Sequence, residues 1–211
     1  MYVPRHFAVE DRAQILAFIR RHPFGVLVSC EDGVPAATHV PFVVLNEEPL
    51  RLGTHVARAN PHWERIAQGP ALAIFSGAHA HVSAAWYAQP ATTVPTWNYA
   101  AVHCYATAAL TGGEDLRRIL EELVREHEGP SGWSFEGADS AAVSRMLRAI
   151  AGIELRVDRI EAKFKYSQNR SEDDRSRVIA HLRESPSADA RALAADMNAY
   201  YDTQDAAMLG R

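Results

Sequence analysis

The chain is poor in cysteine and has no excess of basic residues. Its 211 residues include two cysteines, Cys30 and Cys104, which are far apart and form no CxxC pair. We expect both to be reduced, partly buried strand residues of a cytosolic protein. The formal net charge of −4 argues against a large non-specific nucleic-acid surface, although it does not exclude a local basic face.

Long apolar runs and the common nucleotide and hydrolase motifs are also missing. No apolar run approaches the roughly 20 residues needed to cross a bilayer, and residues 1–12 have neither the basic start nor the apolar core of a signal peptide. There is no GxxxxGKS/T loop, no GxGxxG turn and no GxSxG elbow. We therefore expect a cytoplasmic protein without a P-loop, a dinucleotide fold or a visible serine nucleophile.

Large aromatic rings are concentrated in residues 83–103 (SAAWYAQPATTVPTWNYAAVH), although the whole chain is only 9% aromatic. Two tryptophans and two tyrosines flank a polar loop that two prolines stiffen. Rings in offset-stacked or edge-on geometry gain about 0.5–1.5 kcal/mol beyond area burial. The loop therefore suits the face of a flat conjugated ligand, and the alternative is an aromatic corner of the core.

The hydrophobic pattern predicts mainly strands, joined by hairpins. Asp32 and Gly33 are typical of a type I′ turn, and residues 111–114 (TGGE) match a capping box. Such a pattern indicates an antiparallel barrel with peripheral helices rather than βαβ units. The predicted strands cover residues 25–30, 34–45, 50–55, 71–76, 80–86, 99–110 and 152–164, with a turn at 77–78. The predicted helices cover residues 10–21, a short segment from about 60 to 69, a segment opening at 111–114, and residues 139–151, 172–183 and 188–200.

Residues 53–61 (GTHVARANP) place polar side chains at a predicted strand-to-helix junction. Arg58 can hold a phosphate with two hydrogen bonds, and Thr54 can add a third. Asn60 is a good N-cap, and the helix start adds partial positive charge if its amides point inward. The alternative is a capped helix with a solvated arginine.

Other polar side chains on or after strands are candidates for ligand contact. His39 and His103 lie on predicted strands, and Lys163 with residues 167–169 (SQN) follows the last one; a satisfied polar group or a polar turn is the alternative in each case. His79 and His81 leave the same strand face. They permit a metal site only with further ligands that the sequence does not identify, so we predict no metal.

The last two predicted helices resemble a helix-turn-helix in outline. The second would be the reading helix, and its carboxylates Asp189 and Asp196 would meet phosphate repulsion. A packing or dimer appendage is therefore the favoured interpretation of residues 171–211.

Taken together, these motifs resemble the PaiB-type FMN-binding negative transcriptional regulators, which have the flavin-reductase-like, pyridoxamine-phosphate-oxidase-type split barrel. The matching motifs are MYVP (1–4) with Phe7, THVP (38–41), GTHVARANP (53–61) with Trp63, SAAWY (83–87), VPTWNY (94–99) with Val102 and His103, and Lys163 with SQN (167–169). The chain departs from the family at residues 84–85 and 104–106.

The resemblance implies a homodimer with FMN at the subunit interface. Thr54, His55 and Arg58 would then hold the phosphate, with Thr38 and His39 on the adjacent strand. The Trp97-Asn98-Tyr99 stretch would cover or edge the isoalloxazine. Further contacts implied with it are Lys163, Ser167 and Gln168.

The resulting fold class is α+β, mainly β: a split barrel of six or more antiparallel strands with a C-terminal helical pair. We expect an FMN-binding domain over residues 1–170, with a helical insertion at about 112–151, and a helical appendage over 171–211. Three functions stay open: a transcriptional regulator, with DNA as a partner by the family label only; an FMN-dependent oxidoreductase using NAD(P)H; and a haem-handling split barrel with a histidine ligand such as His79 or His103. No membrane partner is expected.

Overall fold

The computed structural model describes residues 1–66, 69–129 and 131–209. In these residues seven strands form one sheet in the order β2-β1-β5-β6-β7-β4-β3. The pairs β1–β2, β1–β5, β3–β4 and β4–β7 are antiparallel. The strands are β1 Phe24–Glu31, β2 Val34–Pro41, β3 Val43–Asn46, β4 Arg51–Ala57, β5 Pro70–Val82, β6 Thr96–Thr111 and β7 Ile150–Lys165.

Six α-helices accompany the sheet in the described part of the chain, so the predicted mainly-β, α+β class is confirmed. The helices are α1 Arg12–Arg21, α2 His62–Ile66, α3 Gly113–Glu128, α4 Ser140–Arg148, α5 Glu172–Arg183 and α6 Ala188–Leu209. None of these helices combines the length and the apolar character that a membrane crossing requires.

The chain divides into two compact units, and β5, β6 and β7 each contribute residues to both. The first unit comprises Met1–Asp11, Ser76–Ala101 and the chain from Ala162; the second comprises Arg12–Phe75 and Val102–Glu161. Both units are assembled from segments that are separate in sequence. The predicted domain boundary at residue 170 therefore stays a proposal.

The second unit is organised by the β1–β2 hairpin. Asp32 and Gly33 have φ values of 52° and 79°, as the predicted type I′ turn requires. Gly25 on β1 allows the backbone of β5 to approach closely, since an added Cβ would lie 2.7 Å from the Ile74 carbonyl oxygen. In the same unit α3 packs on β3 through Val43, Ile119 and Leu123.

The first unit is closed by α5 and α6. Ser171 caps α5 by accepting a hydrogen bond from the Asp174 amide. Val178 and Leu182 of α5 and Leu193 of α6 are buried. Tyr201 also donates its hydroxyl hydrogen to the Tyr166 carbonyl, so α6 is tied to the end of β7.

The structure corrects three predicted elements. β5 runs unbroken through Gly77 and Ala78, where a turn was expected, because the small residues simply continue the extended strand. The predicted capping box is wrong: Gly112 is the N-cap of α3 and makes no side-chain capping bond, and the buried Thr111 hydroxyl has no hydrogen-bond partner within the described ranges. Trp86 lies in a short 3₁₀ helix, not in a strand, because Ser83 accepts the Ala85 amide and turns the chain.

Other boundaries shift for local reasons. The predicted strand over residues 34–45 is interrupted at Phe42, whose amide donates to the Pro23 carbonyl. The helix predicted to reach residue 151 ends at Arg148, because β7 starts at Ile150. The short helix expected to continue to about 69 ends at Ile66, and residues 67–68 lie outside the described residues. Both cysteines are free, as expected, but Cys30 is exposed rather than partly buried, and Cys104 is buried.

Candidate functional site

The turn between β4 and α2 holds an arginine side chain in place without neutralising it. The Arg58 guanidinium lies 5.4 Å from the centre of the Trp63 ring. The Trp63 indole N–H donates to the Arg58 carbonyl oxygen at 3.0 Å. No carboxylate in the described residues forms an ion pair with Arg58. The exposed guanidinium is thus oriented by cation–π contact and available to an anion.

A buried histidine that the sequence analysis missed supports this junction. His62 is 3% exposed, and its two ring nitrogens lie 2.8 Å from the Ser29 hydroxyl and 2.7 Å from the Thr38 hydroxyl. The Asn60 amide donates to the same Thr38 oxygen, while its own Oδ1 accepts from the His62 backbone N–H. The sequence feature that could have indicated His62 is its position directly after Pro61, in the first turn of the short helix α2.

The remaining predicted residues of this unit differ in availability. Thr54 is fully buried and donates its hydroxyl to the Pro41 carbonyl at 2.6 Å. His55 is half-buried, and its Nδ1 is enclosed without a hydrogen-bond partner in the described part of the chain. His39 is exposed and stacks on Phe24, with ring centres 6.3 Å apart. The structure therefore joins Thr38 to the His62 network, while Thr54 is engaged with backbone and His39 faces outward.

Burial also affects the protonation of three histidines in this unit, His55, His62 and His103. Desolvation lowers the pKa of His55, of His62 and of His103, and Arg65 lowers the pKa of His62 further. Burial similarly raises the pKa of the Cys104 thiol to about 12. These imidazoles are therefore neutral near pH 7 and act as hydrogen-bonding groups rather than as cations.

A pH dependence of stability follows from these lowered pKa values. Their folded-state pKa values lie below the unfolded value of about 6.5, so the unfolded chain binds more protons as the pH falls. Urea unfolding of the flavin-free protein should therefore give a lower free energy of unfolding at about pH 5.5 than at about pH 7.5, by at most about 1.4 kcal/mol per pH unit for each histidine. His62→Gln should flatten part of this slope. A free energy of unfolding that stays level or rises as the pH falls would contradict the assignment.

In the other unit, β6 presents the predicted aromatic residues in alternation. Trp97 is 53% exposed, and its ring centre lies 6.0 Å from that of His79 and 6.0 Å from that of His81. Asn98 points the opposite way and is fully buried. Its amide donates to the Ser167 hydroxyl at 2.8 Å, while its Oδ1 has no partner among the residues that the structure describes. In the WNY stretch, Trp97 and Tyr99 therefore point to one face of the strand, and the Asn98 amide points to the interior.

Lys163 and the turn after β7 lie in the same unit. Lys163 is 8% exposed, donates to the Tyr2 carbonyl oxygen at 3.2 Å, and lies 5.2 Å from the centre of the Tyr99 ring. Gln168 accepts from the Tyr166 amide and donates to the Phe164 carbonyl, so its side chain locks the turn. Ser167 has a φ of 69° and receives the Asn98 bond. The structure therefore brings Asn98 to Ser167 and Tyr99 to Lys163.

His79 and His81 line a cavity of about 320 Å³ in the same unit. Trp86 and Trp97 also line it, and Asp189 of α6 lies at its wall. In the part of the chain that the structure describes, no group of three or more histidine, cysteine or carboxylate side chains could hold a metal ion.

Comparison with protein families and known sequences gives a consistent result. Residues 1–159 match the family described as "Putative FMN-binding domain". Over 200 residues the chain is 33% identical to the Bacillus subtilis protein named "Protease synthase and sporulation protein PAI 2", an alignment that covers 92% of this chain and 95% of that protein.

Solved structures show the same fold at low sequence identity. The flavocytochrome Anf3 from Azotobacter vinelandii superposes with a TM-score of 0.63 at 19% identity, covering 83% of this chain and 78% of that one. The FAD and haem binding protein from Mycobacterium smegmatis superposes with a TM-score of 0.55 at 16% identity, covering 80% and 78%. The predicted split-barrel fold is confirmed.

The residues at the β4–α2 junction fit the phosphate-bearing end of a flavin. Arg58 supplies an unneutralised cation, and the enclosed Nδ1 of His55 lacks a hydrogen-bond partner among the described residues. Through its family match and its 33% identity to a protein of almost the same length, this chain belongs to the PaiB-type FMN-binding domain family, and its cofactor is FMN.

Proposed function

We propose that the protein is a homodimer that binds FMN at the subunit interface, with the FMN phosphate at the junction of β4 and α2. The observation that carries this proposal is the exposed Arg58 guanidinium, held over Trp63 without an acidic partner. His55 lies on β4 and His39 on the polar strand β2, and both add contacts to the flavin. Trp97 and Tyr99 cover or edge the isoalloxazine, and Lys163 adds a cation.

The other predicted residues serve this site as positioning groups. Thr54, Asn98 and Gln168 already use their hydroxyl or amide hydrogens within the protein, so they hold neighbouring segments in place. Thr38 and Ser167 are likewise engaged, with His62 and with Asn98. The free cysteines fit a reducing compartment, and we place the protein in the cytoplasm.

FMN, when bound, supplies hydride and electron transfer. The chain's own residues bind and orient the flavin and exclude water from its ring face. No separate acid or base is required of the protein, which favours an NAD(P)H-dependent oxidoreductase as the second candidate function. Stopped-flow mixing with NADH or NADPH tests this candidate: oxidation of the donor supports it, and no turnover with either donor excludes it for both.

The regulator function implied by the family has less support from the C-terminal helices. Arg191, a basic residue near the start of α6, donates to the carbonyls of Ser185 and Pro186 and so caps its own turn. Leu193 and Met197 of α6 are buried. A specific DNA complex that survives near-physiological salt would nevertheless support repression.

The purified protein is expected to be yellow and dimeric, since a ligand shared by two subunits stabilises both folding and association. Absorbance spectroscopy should show bound flavin and no Soret band, and sedimentation should give twice the mass of the chain. Removing FMN should shift the sedimentation toward monomer, and adding FMN should reverse the shift. A colourless protein that ignores added FMN, or a flavin-loaded monomer, would refute the proposal.

A further inference from the structure

Three cationic side chains cluster at the end of β7 and in the turn that follows it. Lys163 and Lys165 are two residues apart on β7 and therefore leave the strand on the same face. Arg170 belongs to the turn between β7 and α5 and is half-buried. The two lysines and Arg170 lie close enough that Lys163 and Arg170 both lower the pKa of Lys165, after the larger effect of burial.

None of the described carboxylates neutralises this cluster. The salt bridges of the described residues include neither lysine and not Arg170. Lys163 is almost fully buried and has the Tyr2 carbonyl as an acceptor, and Lys165 has the Thr96 hydroxyl. Burying cations without a counter-charge is unfavourable, so an anion placed among them would offset a cost that the protein otherwise bears.

Aromatic rings surround the cluster on several sides. The Lys163 ammonium lies 5.8 Å from the Tyr2 ring centre, and the Lys165 ammonium lies 5.9 Å from that of Phe7. The Arg170 guanidinium lies 4.5 Å from the centre of the buried Tyr87 ring. These contacts hold the cations in place without consuming their charge. They also provide flat apolar walls beside them.

We propose that Lys163, Lys165 and Arg170 form a binding site for the phosphate or carboxylate group of a small ligand. FMN has a single phosphate, and the proposed function assigns Arg58 to it, so this second cationic site can receive a separate anionic ligand that binds together with the flavin. In this respect the inference rests on the proposed function. The shared chemistry is one oxyanion held by charge-assisted hydrogen bonds.

The test uses full-length protein with Lys165→Met and Arg170→Gln, each of which removes a positive charge and keeps a side chain of similar length. Arg183→Gln, on the exposed last turn of α5, is the matched control for loss of a positive charge. Affinities for FMN and for riboflavin are measured on flavin-free protein. The affinity for inorganic phosphate is measured by calorimetry on flavin-loaded protein.

One result supports the site. Lys165→Met and Arg170→Gln should leave the FMN affinity unchanged, and the affinity for inorganic phosphate should fall by about tenfold or more. Arg183→Gln should change neither affinity.

The inference is overturned if both variants keep the wild-type affinity for inorganic phosphate. It is also overturned if either variant reduces the preference for FMN over riboflavin, because the cluster would then hold the FMN phosphate. Circular dichroism confirms folding, and if one variant fails to fold, the other decides the question. A wild-type protein that binds phosphate through these residues but ignores FMN would refute the proposed function and leave this site intact.

Discussion

Replacing Arg58 with alanine is expected to weaken FMN binding by about 1.5–3 kcal/mol, because a charge-assisted contact to the phosphate is lost. That range corresponds to a rise in the dissociation constant of roughly 10- to 150-fold. The Trp63 ring and the Trp63 bond to the Arg58 carbonyl orient the side chain before the ligand arrives. Fluorescence titration of flavin-free protein with FMN measures the change.

Two further variants make the Arg58 result specific. Arg58→Lys keeps the charge but loses the planar, two-pronged donor, so an intermediate loss of affinity is expected. Arg125→Ala removes a highly exposed arginine of α3 and should leave FMN affinity unchanged. Riboflavin lacks the phosphate, and its affinity should respond little to Arg58→Ala. Wild-type FMN affinity in Arg58→Ala would remove Arg58 from the site.

Replacing His62 with alanine is expected to lower the free energy of unfolding by about 2–4 kcal/mol. The imidazole joins the Ser29 and Thr38 hydroxyls in a buried position. Its removal takes one partner from the buried Ser29 hydroxyl and one from the half-buried Thr38 hydroxyl, which keeps its bond from Asn60. Each lost partner costs about 1–3 kcal/mol. Water that enters the space left by the imidazole replaces part of the lost hydrogen bonding, so the two costs together should stay at about 2–4 kcal/mol. Urea unfolding at about pH 7.5 measures the difference.

His39 provides the matched control, because it lies next to Thr38 on strand β2. It is exposed and touches only the Phe24 ring among the described contacts, so His39→Ala should change the free energy of unfolding by less than about 0.5 kcal/mol. His62→Gln, which can still hydrogen-bond, should recover part of the stability lost in His62→Ala. If His62→Ala and His39→Ala unfold alike, the hydrogen-bonded network does not stabilise the junction.

The local elements were predictable because short-range rules govern them. Asp32 and Gly33 tolerate positive φ, so the hairpin between β1 and β2 could be expected from two residues. α5 was predicted with its observed bounds, since Ser171 caps it and acidic residues fill its first turn. Where local signals were ambiguous, as at Gly77 and Thr111, the prediction was wrong.

The candidate site was also predictable only in part. The motifs around Arg58 and Trp97 were enough to indicate a family, a fold and FMN, because each motif is contiguous in the chain. The motifs did not show which of their side chains are exposed enough to contact a ligand. Asn98 is buried and Trp97 is exposed although they are adjacent in sequence, because side chains alternate along a strand.

The amino-acid sequence by itself determined the class of fold, the hairpin, the helix ends that carry caps, and the family. Only the tertiary structure decided that His62 links Ser29 to Thr38 and that Lys163, Lys165 and Arg170 share one region without a carboxylate. The reason is physical: backbone preferences and periodicity act over a few neighbouring residues. Hydrogen-bond partners and charge balance, in contrast, depend on which distant segments strand register and helix packing bring together.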